Sequence, residues 1–177
     1  KPLDLFFIGS LDWLPNTEGL SWFIKEIWPE IKKRHTDIIF HIAGRNMPPE
    51  ISSLKDERII IYGEVESSYE FMNSHGIMLV PILSGSGVRI KIIEGLSNGN
   101  CILSTSIGAE GLFNSGDDHI LIADNKKDFL ENIGLCKRDN DLIKKTGENA
   151  LAYARNNHNI EIISKDLLAY YNKLITI

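Results

Sequence analysis

The chain has 177 residues, 43% of them hydrophobic and 24% charged, with a formal net charge of −5. That length carries a domain with a real core, and the acidic balance argues against a general binder of nucleic acid or anionic membranes. Of the two cysteines, Cys101 falls in an apolar strand pattern and Cys136 follows a helix, so a disulfide framework is not expected and a reducing, cytoplasmic location fits. No apolar run reaches the ~18 residues of a membrane span. There is no signal peptide, but the chain opens on Lys1-Pro2 and runs straight into a strand, which reads as a piece of a longer protein.

In chain order, Leu3–Ile8 predicts a strand ending at Gly9-Ser10. Asp12–Asn16 reads as a turn, with Asn16 capping a helix to about Arg34 whose apolar face is Leu20, Phe23, Ile24, Ile27 and Ile31. Strands are expected at Asp37–Ala43, before Gly44-Arg45, and at Arg58–Tyr62, before Gly63-Glu64; a short helix at Met47–Leu54 lies between them. Glu66–Ser74 reads as a helix and Gly76–Leu83 as a strand; Cys101–Ser104 and His119–Ala123 are further strands, with a glycine-rich loop at Ser106–Gly116. Helices at about Lys126–Leu135, Asp139–Asn156 and Ile160–Ile175 close the chain. Strands alternating with helices predict right-handed crossovers, and near-continuous apolar strands predict burial on both faces. The expected fold is therefore a Rossmann-like, doubly wound parallel α/β sheet of about six strands, with helices on both faces and extra C-terminal helices. Residues 1–177 read as one domain.

The chain is organised around Val80–Thr105. Here a buried strand leads through Ser84-Gly85-Ser86-Gly87 into a helix and then a second buried strand. A loop without bulky side chains lets backbone N–H groups approach a ligand, and the helix N-terminus after it favours an anion. Helices usually begin with acids; this one begins with Arg89 and Lys91, a local basic pair that points to a small anionic ligand. Lys91, Glu94 and Asn98 share one helical stripe, leaving Ile90, Ile93 and Leu96 to pack on the sheet. Because ligands of open parallel sheets bind beyond the carboxyl ends of the strands, Gly9, Gly44, Gly63 and the Ser84–Gly87 loop are expected to converge on one crevice.

Other chemistries find less support. No P-loop ending in Gly-Lys-Ser/Thr is present, and no G-x-G-x-x-G follows the first strand. Ser104-Thr105-Ser106 lacks the hydrolase G-x-S-x-G. None of His35, His41, His75, His119 and His158 has metal-ligand spacing to another His or Cys. His41 inside a strand reads as a satisfied core residue, and Trp13, Trp22 and Trp28 as core and turn packing.

Five segments occur in a telling order: Phe7–Asn16 (FIGSLDWLPN), Ile42–Arg45 (IAGR), Tyr62–Val65 (YGEV), Gly85–Gly99 (GSGVRIKIIEGLSNG) and Ser104–Leu112 (STSIGAEGL). Together they resemble the C-terminal half of the family-four, group 1 retaining glycosyltransferases of GT-B architecture, over nearly the whole chain. The resemblance implies a domain that binds a nucleotide-sugar donor, facing an N-terminal acceptor domain missing from this sequence. By motif position it implies that Glu94 binds the ribose hydroxyls. The backbone of Gly87, Val88, Arg89 and Ile90 contacts the diphosphate, Gly9 and Ser10 line it, and Ser84, Gly85, Ser86, Gly44 and Arg45 are further donor-binding residues. Tyr62, Gly63, Glu64 and Val65 meet the nucleobase. Two departures stand out: Ser86 occupies the position of the family's first signature glutamate, and the loop Gly9–Trp13 has no basic residue. Arg89 and Lys91 are expected to take over stabilisation of the leaving diphosphate.

The resemblance therefore implies a hexosyltransferase-type enzyme that moves a sugar to an acceptor hydroxyl with retention, serving polysaccharide biosynthesis. The isolated domain is expected to bind donor without transferring it. Neither cofactor nor metal is implied, since the nucleoside diphosphate sugar is the substrate. The expected partners are that donor and the N-terminal half, through which the protein would associate peripherally with a membrane, with no transmembrane segment and no nucleic acid. The alternatives are a GT-B epimerase using the same pocket and a non-catalytic nucleotide-binding or interaction domain.

Overall fold

A computed structural model describes residues 3–175; the opening Lys1-Pro2 lies outside the described residues. Six strands, β1 (Leu5–Ile8), β2 (Phe40–Ala43), β3 (Ile59–Gly63), β4 (Ile77–Val80), β5 (Cys101–Ser104) and β6 (Leu121–Ile122), form one parallel sheet in the order β3-β2-β1-β4-β5-β6. The chain leaves β1 in one direction to build β2 and β3, then returns beside β1 to build β4, β5 and β6. The order therefore reverses between β1 and β4. Ile8 pairs with Ala43, and Val80 with Ser104, so the segments after these strands emerge along one edge.

Each strand of four residues from β1 to β5 is buried on both faces, and alternate side chains go to opposite sides. Leu5, Phe7, Phe40, Ile42, Leu79 and Leu103 pack against Leu20, Phe23, Ile27, Ile31, Phe129 and Ile133. Phe6, Ile8, Met78, Val80 and Ile102 pack against Phe71, Met72, Ile92, Leu96, Ala150 and Ala154. The first face is covered by α1 (Leu14–Trp22), its continuations and α6 (Lys126–Arg138). The second is covered by α4 (Ser68–Ser74), α5 (Ile90–Ser97) and α7 (Asn140–Asn157). A four-residue α3 (Pro49–Ser52) joins β2 to β3, and α8 (Ile160–Ile175) extends from α7. No helix among the described residues is long and apolar enough to cross a membrane.

Several local expectations are corrected. The helix through Arg34 is not uniform: between α1 and α2 (Trp28–Arg34) lies a π-helical stretch, Phe23–Ile27, closed by Trp28 N–H donating to Phe23 O. Pro29 follows at once, and a proline inside a helix removes one N–H and crowds the carbonyl four residues back, so the helix widens there. Asn16 does not cap this helix; Trp13 holds the cap position, and Pro15 in the first turn starts the helix three residues earlier. In α5, Ile92 and Leu96 are the fully buried residues while Ile90 is 72% exposed. The helix begins at Ile90 itself, with Arg89 at its cap. Asn98 sits at the C-terminus of α5 and donates to Met72 Sδ. Cys136 lies inside α6 instead of following a helix; both cysteines are free and buried.

Candidate functional site

The segments that follow β1, β2, β3 and β4 are built for close approach. Gly9 N–H donates to Ala43 O, and Gly44 N–H to Gly63 O at 2.7 Å. A Cβ on Gly44 would stand 2.0 Å from Gly9 O, so only glycine lets the two strand ends lie this near. Beside them Arg45 Nε donates to Ser10 Oγ at 2.9 Å, and Ser10 Oγ donates to Asp12 Oδ1. The Ser10 hydroxyl is the main reason the Asp12 carboxyl titrates below its ordinary value.

After β4 the chain runs through the exposed Ser84–Val88 loop into α5. Gly85 and Gly87 adopt φ of +100° and +89°, a region costly for residues with a Cβ. Arg89 is the pivot of this loop. Only 6% of it is exposed; its Nη1 donates to Ser86 O at 2.6 Å and to Gly87 O, and its guanidinium lies 5.2 Å above the Trp13 ring. Its Nε and Nη2 are buried and have no hydrogen-bond partner among the described residues, and Nη2 faces Gly85. A buried, half-satisfied guanidinium is expensive, and an anion at this loop would complete it.

Lys91 lies two residues on, half-buried. Its Nζ donates to Asn16 Oδ1 at 2.6 Å, rests 4.5 Å from the Phe7 ring centre and comes close to Gly9. Burial, with the neighbouring Arg89 charge, brings its pKa down to about 7. Asn16, itself buried, uses its Nδ2 to hold Ser10 O at 2.8 Å. The Lys91–Asn16 contact therefore links α5, the helix after β4, to the helix after β1, across the point where the strand order reverses. Crevices at that point are where open α/β sheets bind ligands.

The structure thus brings Gly9, Ser10, Gly44, Arg45, Gly63, Ser84, Gly85, Ser86, Gly87, Val88, Arg89 and Lys91 to the carboxyl edge of the sheet. Glu94 is exposed one turn beyond Ile90, and Glu64 and Val65 follow β3. The Tyr62 hydroxyl turns to His41 Nδ1, 3.0 Å away. Sequence reasoning missed three participants. Trp13 is no core residue; it is 39% exposed and stacks on Arg89. Asn16 is a tether where a cap was expected, and Pro15 was the signal that moved the helix start. Glu110, whose Oε2 accepts from Gly87 N–H at 2.9 Å, carried no spacing signal because it comes from the loop after β5.

Two other features lie elsewhere. Asp4 Oδ2 sits 3.2 Å from both His41 Nε2 and His75 Nδ1, and the two imidazoles stack at 3.9 Å. Burial pushes the Asp4 carboxyl up, but hydrogen bonds from His41, Gly76 N–H and His75 outweigh it and hold it below its ordinary value. Sequence spacing could not show this cluster, which could offer ligand atoms within 4.8 Å of one another. Its atoms are already joined by hydrogen bonds, tying β2 to the segments before β1 and β4. A cavity of about 620 Å³ opens at the amino edge of the sheet among Gly76, Asn100, Cys101 and α7, away from the glycine loops. The one Asp-x-Asp spacing in the chain, Asp139–Asp141, is used there as a helix cap: Asp139 Oδ1 accepts from the N–H groups of Asp141 and Leu142.

Comparison with known proteins bears on this geometry. The family model described as glycosyl transferases group 1 matches residues 2–139. An uncharacterized 44.6 kDa protein in the cps region of Klebsiella pneumoniae is 27% identical over 168 residues, covering 88% of this chain and 42% of that protein. The C-terminal domain of the group 1 glycosyl transferase LpcC from Francisella tularensis superposes with a TM-score of 0.68 at 17% identity, covering 89% of this chain and 86% of that one. A TarM mutant from S. aureus, solved with UDP, fondaparinux and alpha-GlcNAc-glycerol, gives 0.77 at 17% identity, covering 96% of this chain and 35% of that one. The present chain therefore spans well under half the length of the curated relative it matches.

Proposed function

The chain belongs to the glycosyl transferases of group 1, and from that premise we propose that it forms the half of the enzyme that binds the nucleoside diphosphate sugar donor. The observation that carries the reading is Arg89: buried at the carboxyl edge of the sheet, with Nε and Nη2 unpartnered among the described residues and Nη2 beside Gly85. The UDP in the TarM complex supports a nucleotide ligand for this fold. Breaking the bond between sugar and diphosphate leaves negative charge on the diphosphate. Fixed dipoles and cations stabilise such charge without reorganising. Here they are the amides of the Ser84–Val88 loop, the guanidinium of Arg89 and the ammonium of Lys91. The base meets the backbone after β3, and Glu94 accepts hydrogen bonds from the ribose hydroxyls. The acceptor hydroxyl comes from a further half of the protein, and the sugar, of hexosyl type, transfers with retention. The product serves polysaccharide assembly, and this chain alone binds donor without turning it over, because the reactants must be held together.

Calorimetry with UDP, GDP and the parent nucleosides tests the reading. A charge-assisted contact contributes roughly 1.5–3 kcal/mol, and tenfold in affinity is about 1.4 kcal/mol. Arg89→Ala is expected to weaken the better diphosphate by roughly ten- to a hundredfold and to leave the nucleoside unchanged. Unaltered diphosphate affinity would remove Arg89 from the site.

A further inference from the structure

We infer that the Glu110 carboxylate competes with the ligand's diphosphate for the Gly87 N–H, so that donor binding requires Glu110 to swing away. The inference rests on the donor-site reading above and adds a residue to it. Gly87 lies in the exposed loop with a φ of +89°. That amide is held by Glu110 Oε2 at 2.9 Å, an exposed side chain 23 residues further on. A carboxylate oxygen and a phosphate oxygen are equivalent acceptors for one N–H, and two anions side by side repel.

The surroundings make displacement of the side chain alone feasible. The backbone under Glu110 is fixed: Ala109 and Leu112 are fully buried, and Thr105 Oγ1 accepts from Gly108 N–H at 3.0 Å. The Gly87 carbonyl is held separately by Arg89, so the loop keeps its shape when the carboxylate leaves. A cavity of about 260 Å³ lined by Gly85, Ser106, Ile107 and Glu110 gives the side chain room. Glu110 thus keeps the loop's amide satisfied in the free protein and imposes a cost on diphosphates. It lowers their affinity and leaves that of nucleosides, which do not need this amide, unchanged.

The test is calorimetry of the 177-residue chain and of Glu110→Gln and Glu110→Ala, with UDP, GDP, inorganic pyrophosphate and uridine as probes. Glu110→Ala should bind the better nucleoside diphosphate, and pyrophosphate, about tenfold more tightly than the parent. Glu110→Gln should bind it more tightly by less, and uridine should not change. Unchanged or weakened diphosphate binding in Glu110→Ala, with the parent binding normally, overturns the inference and leaves the donor-site reading standing. Absence of diphosphate binding in the parent and in both variants overturns that reading, and the inference falls with it.

Discussion

If Lys91 must be charged to hold a diphosphate, binding must consume a proton. Its ammonium is half-buried and hydrogen-bonded to Asn16, and burial brings its pKa to about 7 from an ordinary 10.5. A diphosphate alongside would return the pKa toward its ordinary value, because an opposite charge favours the charged form. Between those limits each pH unit costs a factor of ten in affinity. From a free-protein pKa of about 7, the dissociation constant should rise about fiftyfold between pH 7 and 9. The ligand does not confuse the measurement, since the second phosphate ionisation lies near pH 6. The same shift governs stability. Below about pH 7 lysine is protonated in both states and its burial penalty is complete; the penalty disappears as pH rises toward 10.5. The chain should therefore gain stability with pH across that window, and Lys91→Met should not. Calorimetry of UDP or GDP in buffers of differing ionisation enthalpy reads the proton directly: close to one taken up at pH 8.5, and none in Lys91→Gln. An affinity flat from pH 7 to 9, or a slope that persists in Lys91→Gln, refutes the reasoning.

Glu94→Gln should weaken a ribonucleoside diphosphate through a lost charge-assisted hydrogen bond of roughly 1.5–3 kcal/mol, and a dideoxy analogue far less; equal losses would displace Glu94 from the ribose. Gly44→Ala should destabilise the chain by at least about 2 kcal/mol in thermal or urea unfolding, because the added methyl meets Gly9 O at 2.0 Å, and wild-type stability would mean the strand ends move apart easily. The helix α8 exposes Ile160, Ile163, Leu167, Leu168, Tyr171 and Leu174. Apolar surface of that extent drives association, so sedimentation should show self-association rising with concentration, and a strict monomer at high concentration would count against it.

The sheet was legible because its strands are short, apolar and buried on both faces, and because turns and helices separate them. All six strands fell within a few residues of their expected places, although β6 keeps only two residues, Leu121–Ile122, of the expected His119–Ala123. Helix interiors were legible too, through Leu20, Phe23, Ile27 and Ile31. Local geometry was less so. The π-helical stretch before Pro29 and the cap at Trp13 depend on backbone hydrogen bonds that apolar spacing does not encode. Around the candidate site, the glycines and the basic pair were visible as a pattern. The direction of Arg89 was not: a side chain at a helix cap can point to solvent or fold back onto the loop, and only packing against Trp13 decides. Asp4, His41 and His75 met because β1, β2 and the segment before β4 are neighbours in space while distant in sequence. Glu110 reached Gly87 for the same reason.

The most direct test of the account is a crystal structure of this chain grown with UDP or GDP, whichever calorimetry shows to bind more tightly. The account predicts the diphosphate at the carboxyl edge of the sheet, between the Gly9 and Gly85 loops. There it should lie within hydrogen-bond distance of Gly87 N–H and of the two Arg89 nitrogens now without partners, with Glu110 turned away. A nucleotide seated instead in the 620 Å³ cavity at the amino edge, among Asn100 and α7, would contradict it.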